Sequence, residues 1–175
     1  VSIPENVTVI NGFASCPDLA TVTLGENATE IAACAFSNCT NLVEINMENI
    51  ESIGFEAFQG ASSLTSVELD SVETIGYSAF QDCTNLQRVI LSQNLNIVEH
   101  NVFYGCSSLT SVYVPSVDAS YDSYVFNNTS NVVVFGETGS TTQDYAKESN
   151  LPFVPLHDPD HTYDEGTIAH EGHCG

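Results

Sequence analysis

Apolar residues recur along the chain at intervals of 22 or 23 residues. Six phenylalanines mark the interval, and each is followed six residues later by leucine or valine; the phenylalanines are Phe13, Phe36, Phe58, Phe80, Phe103 and Phe126. In the first five units, further apolar residues follow nine and eleven positions after the phenylalanine, as Val67 and Leu69 do after Phe58. Four units carry another apolar residue five positions before it, at Ile31, Ile53, Ile75 and Val98. Self-similarity at such a period is typical of a repeat protein.

The end of each unit alternates apolar and polar residues, which is the pattern of a strand with one buried face. A single unit cannot bury its own apolar side, but neighbouring units can cover it. We therefore expect stacked coils of 22–23 residues, with short strands paired in parallel about 4.8 Å apart in a sheet along one face. We expect the A-F-x-x-C-x-x-L segment to lie opposite this sheet. It is too short for a full helix, so we expect one helical or 3₁₀ turn there.

The unit I-G-x-x-A-F-x-x-C-x-x-L-x-x-V-x-L resembles the BspA-like class of leucine-rich repeat, a bacterial surface-antigen type. The match is clearest at Ile53-Gly54…Ala57-Phe58 and at Ile75-Gly76…Ala79-Phe80…Cys83. The likeness covers about residues 1–156. The resemblance implies a β-rich leucine-rich-repeat solenoid. It also implies a secreted or cell-surface protein that adheres to host proteins or to other cells.

The pattern divides the chain into three parts. We expect a solenoid of about six coils in residues 1–135, a C-terminal cap in 136–156, and an acidic, histidine-rich tail or linker to a further module in 157–175. Within the cap, Ser140 or Thr141 is expected to begin a short helix, which would cover the apolar end of the stack.

The start of the chain, Val1-Ser2-Ile3-Pro4, resembles the end of a repeat strand at Val112-Tyr113-Val114-Pro115. We therefore expect that at least one upstream coil has been trimmed away.

The chain is strongly acidic. Arg88 and Lys147 oppose 23 acidic residues, and the formal net charge is -21. Such a chain repels phosphate backbones, which argues against nucleic acid as a partner. No run of about 18 apolar residues is present, so we expect no membrane insertion. The charge remains compatible with cationic partners and with divalent metal ions.

Four of the six cysteines occupy the same position of the repeat, three residues after the phenylalanine: Cys16, Cys39, Cys83 and Cys106. Stacked equivalents would lie about 5 Å apart with parallel side chains, whereas a disulfide needs Cβ atoms about 3.8 Å apart. We therefore expect buried free thiols at this position. Cys34 is out of register and Cys174 lies in the tail, and neither has an evident partner.

The tail carries residue types that can bind metal ions, namely His157, His161, His170, His173 and Cys174, but no complete site. We predict no metal site and no cofactor. No catalytic motif is present either. His100 occupies a position that Phe55 and Tyr77 occupy in other coils, so it is expected to pack against the wall. The chain is therefore predicted not to be an enzyme.

The outward-facing strand residues form the predicted binding face, because solenoids present partners with a regular sheet of variable side chains. The candidate residues are Glu44, Asn46, Glu48, Glu68, Asp70, Arg88 and Tyr113. We expect a monomeric, extracellular or cell-surface scaffold that binds a protein of the host matrix or of a cell surface. Two alternatives stay open: a rigid spacer in a larger cell-surface protein, and a calcium-dependent adhesion module.

Overall fold

Thirteen short strands and one helix occupy the part of the chain that the computed structural model describes, residues 1–129 and 131–156. In chain order they are β1 (Val9–Ile10), β2 (Thr21–Val22), β3 (Glu30–Ile31), β4 (Glu44–Ile45), β5 (Ser52–Ile53), β6 (Ser66–Leu69), β7 (Thr74–Ile75), β8 (Arg88–Leu91), β9 (Ile97–Val98), β10 (Ser111–Val114), β11 (Ser120–Tyr121), β12 (Val133–Gly136), α1 (Thr141–Glu148) and β13 (Phe153–Pro155). All strand pairs are parallel, and equivalent residues of successive coils face each other, as Val67 faces Val89. The fold is a parallel β-solenoid with coils about 22 residues apart, as the repeat predicted, and it has about seven coils where the sequence predicted about six.

The strands form two walls. We call β2, β4, β6, β8, β10, β12 and β13 the front wall, and the continuous six-stranded sheet of β1, β3, β5, β7, β9 and β11 the side sheet. The front wall lies where the sequence predicts one continuous sheet, but it consists of a two-stranded and a five-stranded sheet, and its seventh strand, β13, belongs to the predicted cap. The side sheet was not predicted. Its strands end at Ile31, Ile53, Ile75 and Val98, which the sequence marks only as apolar positions, because two-residue strands are too short to show alternation.

The segment with the phenylalanine consists of hydrogen-bonded turns rather than the predicted helical turn. Cys34 and Asn38 both have φ of 58°, and between them the backbone N–H of Phe36 donates to Ala57 O in the next coil at 2.7 Å. Such bonds between coils require coils about 5 Å apart. A helix is about 10 Å across with its side chains, so it does not fit this spacing.

The core is built around a ladder of phenylalanine rings. Phe36, Phe58, Phe80 and Phe103 are fully buried, and successive centroids from Phe13 to Phe126 lie 5.0–5.6 Å apart in nearly parallel planes. Cys39, Cys83 and Cys106 are buried beside this ladder, and the five cysteines within the described residues are free thiols. The prediction of buried free thiols is thus confirmed for these three. Cys16 is only half-buried, and Cys174 lies outside the described residues.

The I-G step of the repeat reflects close contact between coils. A Cβ atom on Gly54 would lie 2.6 Å from Ala33 N, and one on Gly76 would lie 2.9 Å from the carbonyl carbon of Gly54. These distances are shorter than side chains tolerate. Glycine therefore lets the backbones of adjacent coils lie in close contact at the end of the side-sheet strands.

The C-terminal end of the stack is covered by α1 and β13. Ser140 is the N-cap, and its side chain accepts a hydrogen bond from Gln143 N, which satisfies one of the free amide groups of the first turn. Ala146 of α1 is buried, and β13 extends the front wall beyond β12. The predicted capping helix is confirmed. In residues 1–129 and 131–156, no helix is both long and apolar enough to cross a membrane.

Candidate functional site

The front wall is split between its second and third strands. β2 and β4 form a two-stranded sheet, and β6, β8, β10, β12 and β13 form a separate five-stranded sheet. A depression of about 340 Å³ lies at the split and is bordered by residues 43–48 on one side and by Ser66, Val67, Glu68 and Asp70 on the other. We call it the front cleft. It is a local departure from the repeat, because the side sheet runs unbroken past the same coils.

Five of the seven predicted site residues border the front cleft: Glu44, Asn46, Glu48, Glu68 and Asp70. The four acidic side chains are exposed. Like charges that face each other on adjacent strands destabilise a sheet, and the separation of β4 from β6 reduces that repulsion. The structure therefore brings four carboxylates around one opening, and that opening would favour a cationic group.

Asn46 differs from its acidic neighbours because its side chain bonds to the backbone. Its Oδ1 accepts a hydrogen bond from Leu24 N at 2.6 Å, and its Nδ2 donates to Leu24 O at 3.3 Å and to Glu48 Oε2 at 3.3 Å. The amide thus continues the pairing of β2 with β4 beyond the last strand residue. Asn46 therefore lies at the cleft because its side chain bonds to the backbone of Leu24.

Arg88 and Tyr113 lie on β8 and β10, away from the front cleft. The guanidinium carbon of Arg88 lies 5.2 Å from the centroid of the Tyr113 ring, which is within the range of a cation–π interaction. Tyr113 in turn stacks on Phe135, with centroids 4.5 Å apart. The predicted site residues therefore divide into an acidic group at the cleft and a cationic and aromatic row on the adjoining sheet.

His100 packs in a row of rings, as its position in the repeat predicts. Phe55 and Tyr77 are stacked with centroids 5.5 Å apart, and Tyr77 and His100 are stacked at 5.9 Å. Beyond His100 the next ring is Tyr124, which meets it edge-on at 5.2 Å.

Sequence reasoning missed a second cavity of about 440 Å³ between the last coil and α1. Tyr121, Tyr124 and Tyr145 line it together with Asp122 and Glu148. We call it the tyrosine cavity. The available signal was a departure from the repeat, because Tyr121 replaces the aliphatic residue that Ile75 and Val98 supply in earlier coils.

Within the described residues, no group of three or more His, Cys, Asp and Glu side chains is arranged to hold a metal ion. The candidate ligands of the tail, His157, His161, His170, His173 and Cys174, lie outside the described residues. The predictions about a tail metal site therefore stay predictions.

Residues 1–133 match the family described as BspA type leucine rich repeat region, in six copies. No curated protein shows significant similarity to the chain. The match to this family covers the repeats that the phenylalanines define.

The chain is similar to solved structures of other leucine-rich-repeat proteins. A leucine-rich repeat protein from Bacteroides ovatus ATCC 8483 has a TM-score of 0.67 and 27% identity over 78% of this chain and 39% of that one. The T. pallidum leucine rich repeat protein has a TM-score of 0.64 and 20% identity, and the match covers 88% of this chain and 84% of that one. A leucine rich cell surface protein from Faecalibacterium prausnitzii A2-165 has a TM-score of 0.61 and 24% identity, and the match covers 75% of this chain and 35% of that one. The chain thus spans about two fifths of the B. ovatus protein.

Proposed function

Because the chain belongs to the BspA-type leucine-rich-repeat family, a family of protein-interaction scaffolds, we propose that it binds a protein through the front wall, without catalysis. The partner is a protein of the host matrix or of a cell surface, and it offers a basic segment to the front cleft. The observation that carries the proposal is the cleft itself. It places the exposed carboxylates of Glu44, Glu48, Glu68 and Asp70 around one opening of about 340 Å³.

A basic partner follows from the charges. The chain has a formal net charge of -21, which raises the association rate of a positively charged protein and repels an acidic one. The cleft suits individual arginine or lysine side chains rather than a whole ligand. Arginine is common among the residues that dominate protein interfaces, and its planar fork can accommodate a carboxylate in a bidentate pair.

A location outside the cell is part of the same proposal. The similar protein from F. prausnitzii is described as a cell surface protein, and buried free thiols are compatible with that compartment when no second thiol lies within bonding geometry. We also propose that the chain acts as a monomer, and the support for this is that α1 covers the last coil, so a second copy cannot stack on that coil.

The experiment compares two double variants that each remove two negative charges. Glu68→Gln with Asp70→Asn changes the cleft, whereas Glu26→Gln with Glu51→Gln changes a different depression, which these two residues border. Each chain is immobilised, and capture of solubilised host extracellular-matrix proteins is measured by biolayer interferometry at low and high salt.

We expect the cleft variant to capture about tenfold less at low salt, with a smaller difference at high salt because exposed charges are screened over about 8–10 Å. The control variant should match the unaltered chain apart from a small general effect of charge. Equal losses in the two variants would place binding outside the cleft.

A spacer role is the second candidate, and the unbroken side sheet and phenylalanine ladder favour it because they stiffen the stack along its length. Under this alternative, neither double variant changes capture. The calcium-dependent alternative predicts a melting temperature that rises with added calcium.

A further inference from the structure

The tyrosine cavity lies where the last coil meets the capping helix. Its volume is about 440 Å³, and its lining residues are Tyr121, Asp122, Ser123, Tyr124, Asn127, Tyr145, Glu148 and Ser149. Three aromatic rings and two carboxylates therefore share one cavity. It is separate from the front cleft, whose lining residues are all different.

Two of the three rings are held in place by ring contacts and by one hydrogen bond. Tyr121 and Tyr145 stack with centroids 4.8 Å apart and an interplanar angle of 25°. The Tyr121 hydroxyl lies 2.7 Å from Thr142 Oγ1, and the Tyr145 ring also meets the Phe126 ring, with centroids 6.2 Å apart and planes at 61°. This part of the wall is formed before any ligand arrives, so little ordering is needed on binding.

The third ring, Tyr124, is more open. Its side chain is 56% exposed, and it meets His100 edge-on, with planes at 88°. An edge-on contact leaves much of the ring surface uncovered. Tyr124 has φ of 63° and occupies the turn position that Glu56, Ser78 and Asn101 fill in earlier coils, where φ is 51–60°. An aromatic ring at this position is thus a departure from the repeat.

The cavity is negatively charged. Asp122 Oδ1 accepts hydrogen bonds from Ser123 N at 2.7 Å and from Ser123 Oγ at 3.2 Å, and the backbone bond is the main reason that the pKa of Asp122 is lowered. Glu148 ends α1, where a carboxylate is unfavourable with respect to the helix dipole. No lysine or arginine is among the described residues that line the cavity.

From this combination we propose that the tyrosine cavity binds a small organic cation with a quaternary ammonium group, of the choline type. Aromatic faces attract a cation through their quadrupole, and methyl groups on the nitrogen lower the cost of removing it from water. Asp122 and Glu148 supply the opposite charge. A bare metal ion would find too few ligands, since no described cluster of three suits one. A phosphate ester of the same cation would be repelled by the two carboxylates.

The test is a titration of the full chain with choline chloride. Binding is measured by isothermal titration calorimetry and by the shifts of tyrosine ring signals in NMR spectra. Because three rings and two carboxylates act together, we expect a dissociation constant on the order of millimolar. The neutral isostere 3,3-dimethylbutan-1-ol keeps the shape and loses the charge, so it should bind at least about tenfold more weakly. Phosphocholine should also bind more weakly than choline.

Variants show whether choline affinity depends on the Tyr124 ring or on its hydroxyl, and whether a loss is specific to this cavity. Tyr124→Ala should weaken choline binding about five- to tenfold, whereas Tyr124→Phe should leave it nearly unchanged because the ring remains. Glu148→Gln should weaken it by a smaller factor. Tyr113→Ala, which removes an aromatic ring from the front wall, is the matched control and should have no effect. Unfolding curves check that each variant is folded.

Four results would overturn the proposal: no saturable binding below about 50 mM choline, equal binding of the neutral alcohol, tighter binding of phosphocholine, or unchanged affinity in Tyr124→Ala. None of them bears on the front cleft, so the proposed function stands or fails separately.

Discussion

The thiol of Cys106 donates a hydrogen bond to the backbone carbonyl oxygen of Phe80 in the preceding coil, with 3.1 Å between sulfur and oxygen. The same bond joins Cys83 to Phe58 at 3.2 Å and Cys39 to Phe13 at 2.9 Å. The repeated cysteine is therefore a small packing residue that also satisfies a carbonyl group. Alanine at this position, as at Ala61, can fill the space but cannot make the bond.

We expect the buried thiols to resist modification while the chain is folded. Burial raises the pKa of Cys106 to about 12 and that of Cys83 well above its usual value, so almost no thiolate is present at pH 8. With iodoacetamide, Cys16 should react quickly and Cys83 and Cys106 only after unfolding, as peptide mass spectrometry can follow. A majority of molecules with two or more disulfides among the repeat cysteines would contradict the stacked arrangement.

Stability should fall in alkaline solution for the same reason. The folded pKa of Cys106 is raised to about 12, whereas an unfolded thiol ionises near pH 8.5–9. Its contribution is thus complete below about pH 9 and is lost progressively as pH rises toward 12, by about 2 kcal/mol at pH 10.5. Urea unfolding at pH 8 and pH 10.5 measures the loss, and Cys106→Ala should show a smaller loss between the two.

Phe80→Ala should destabilise the chain by about 3–5 kcal/mol, because Phe80 is fully buried with a stacked ring on each side. Phe13→Ala is the comparison. Phe13 is half-buried at the first coil and stacks on Phe36, so its loss should cost less. Urea unfolding followed by circular dichroism gives both values. A cost for Phe13 equal to that for Phe80 would mean that position along the ladder does not matter.

Asn46→Ala should lower stability by about 1–2 kcal/mol, because it leaves the backbone N–H and C=O of Leu24 without the amide that bonds to both. Glu48→Gln, two residues away and exposed, should change stability by less than about 0.5 kcal/mol. Thermal unfolding of the two variants distinguishes a structural cleft residue from one that is available to a partner. Equal melting temperatures would show that the Leu24 bonds are dispensable.

Truncation after Leu156 should leave the melting temperature within about 5 °C of that of the full chain. The repeat pattern ends before this point, and α1 and β13 already cover the last coil. Differential scanning calorimetry of the two chains is the measurement. A large decrease, reproduced by adding a chelator to the full chain, would instead indicate a structural metal ion bound through the tail histidines.

Repetition explains how much of the fold the sequence predicts. Each coil must match the one before it, so the spacing of Phe58 and Phe80 by itself determines the coil length, and the apolar residues after them determine the front wall and its register. The thiol position follows from the same alignment, whereas the start of the capping helix at Ser140 or Thr141 follows from the local signal of an N-cap residue. The same local sequence signals recur in each repeat, so the predictions from different repeats agree with one another.

The tertiary structure alone decided the features that depend on contacts between coils. The side sheet consists of two-residue strands whose pairing exists only across coils, and the turns containing Phe36 replace a helix because coils about 5 Å apart leave no space for one. The split that brings Glu48 and Asp70 to one cleft reflects missing strand pairing rather than any residue pattern. Tyr121 and Tyr145 meet because α1 packs on the last coil, and a contact between a repeat and its cap has no period from which it could be predicted.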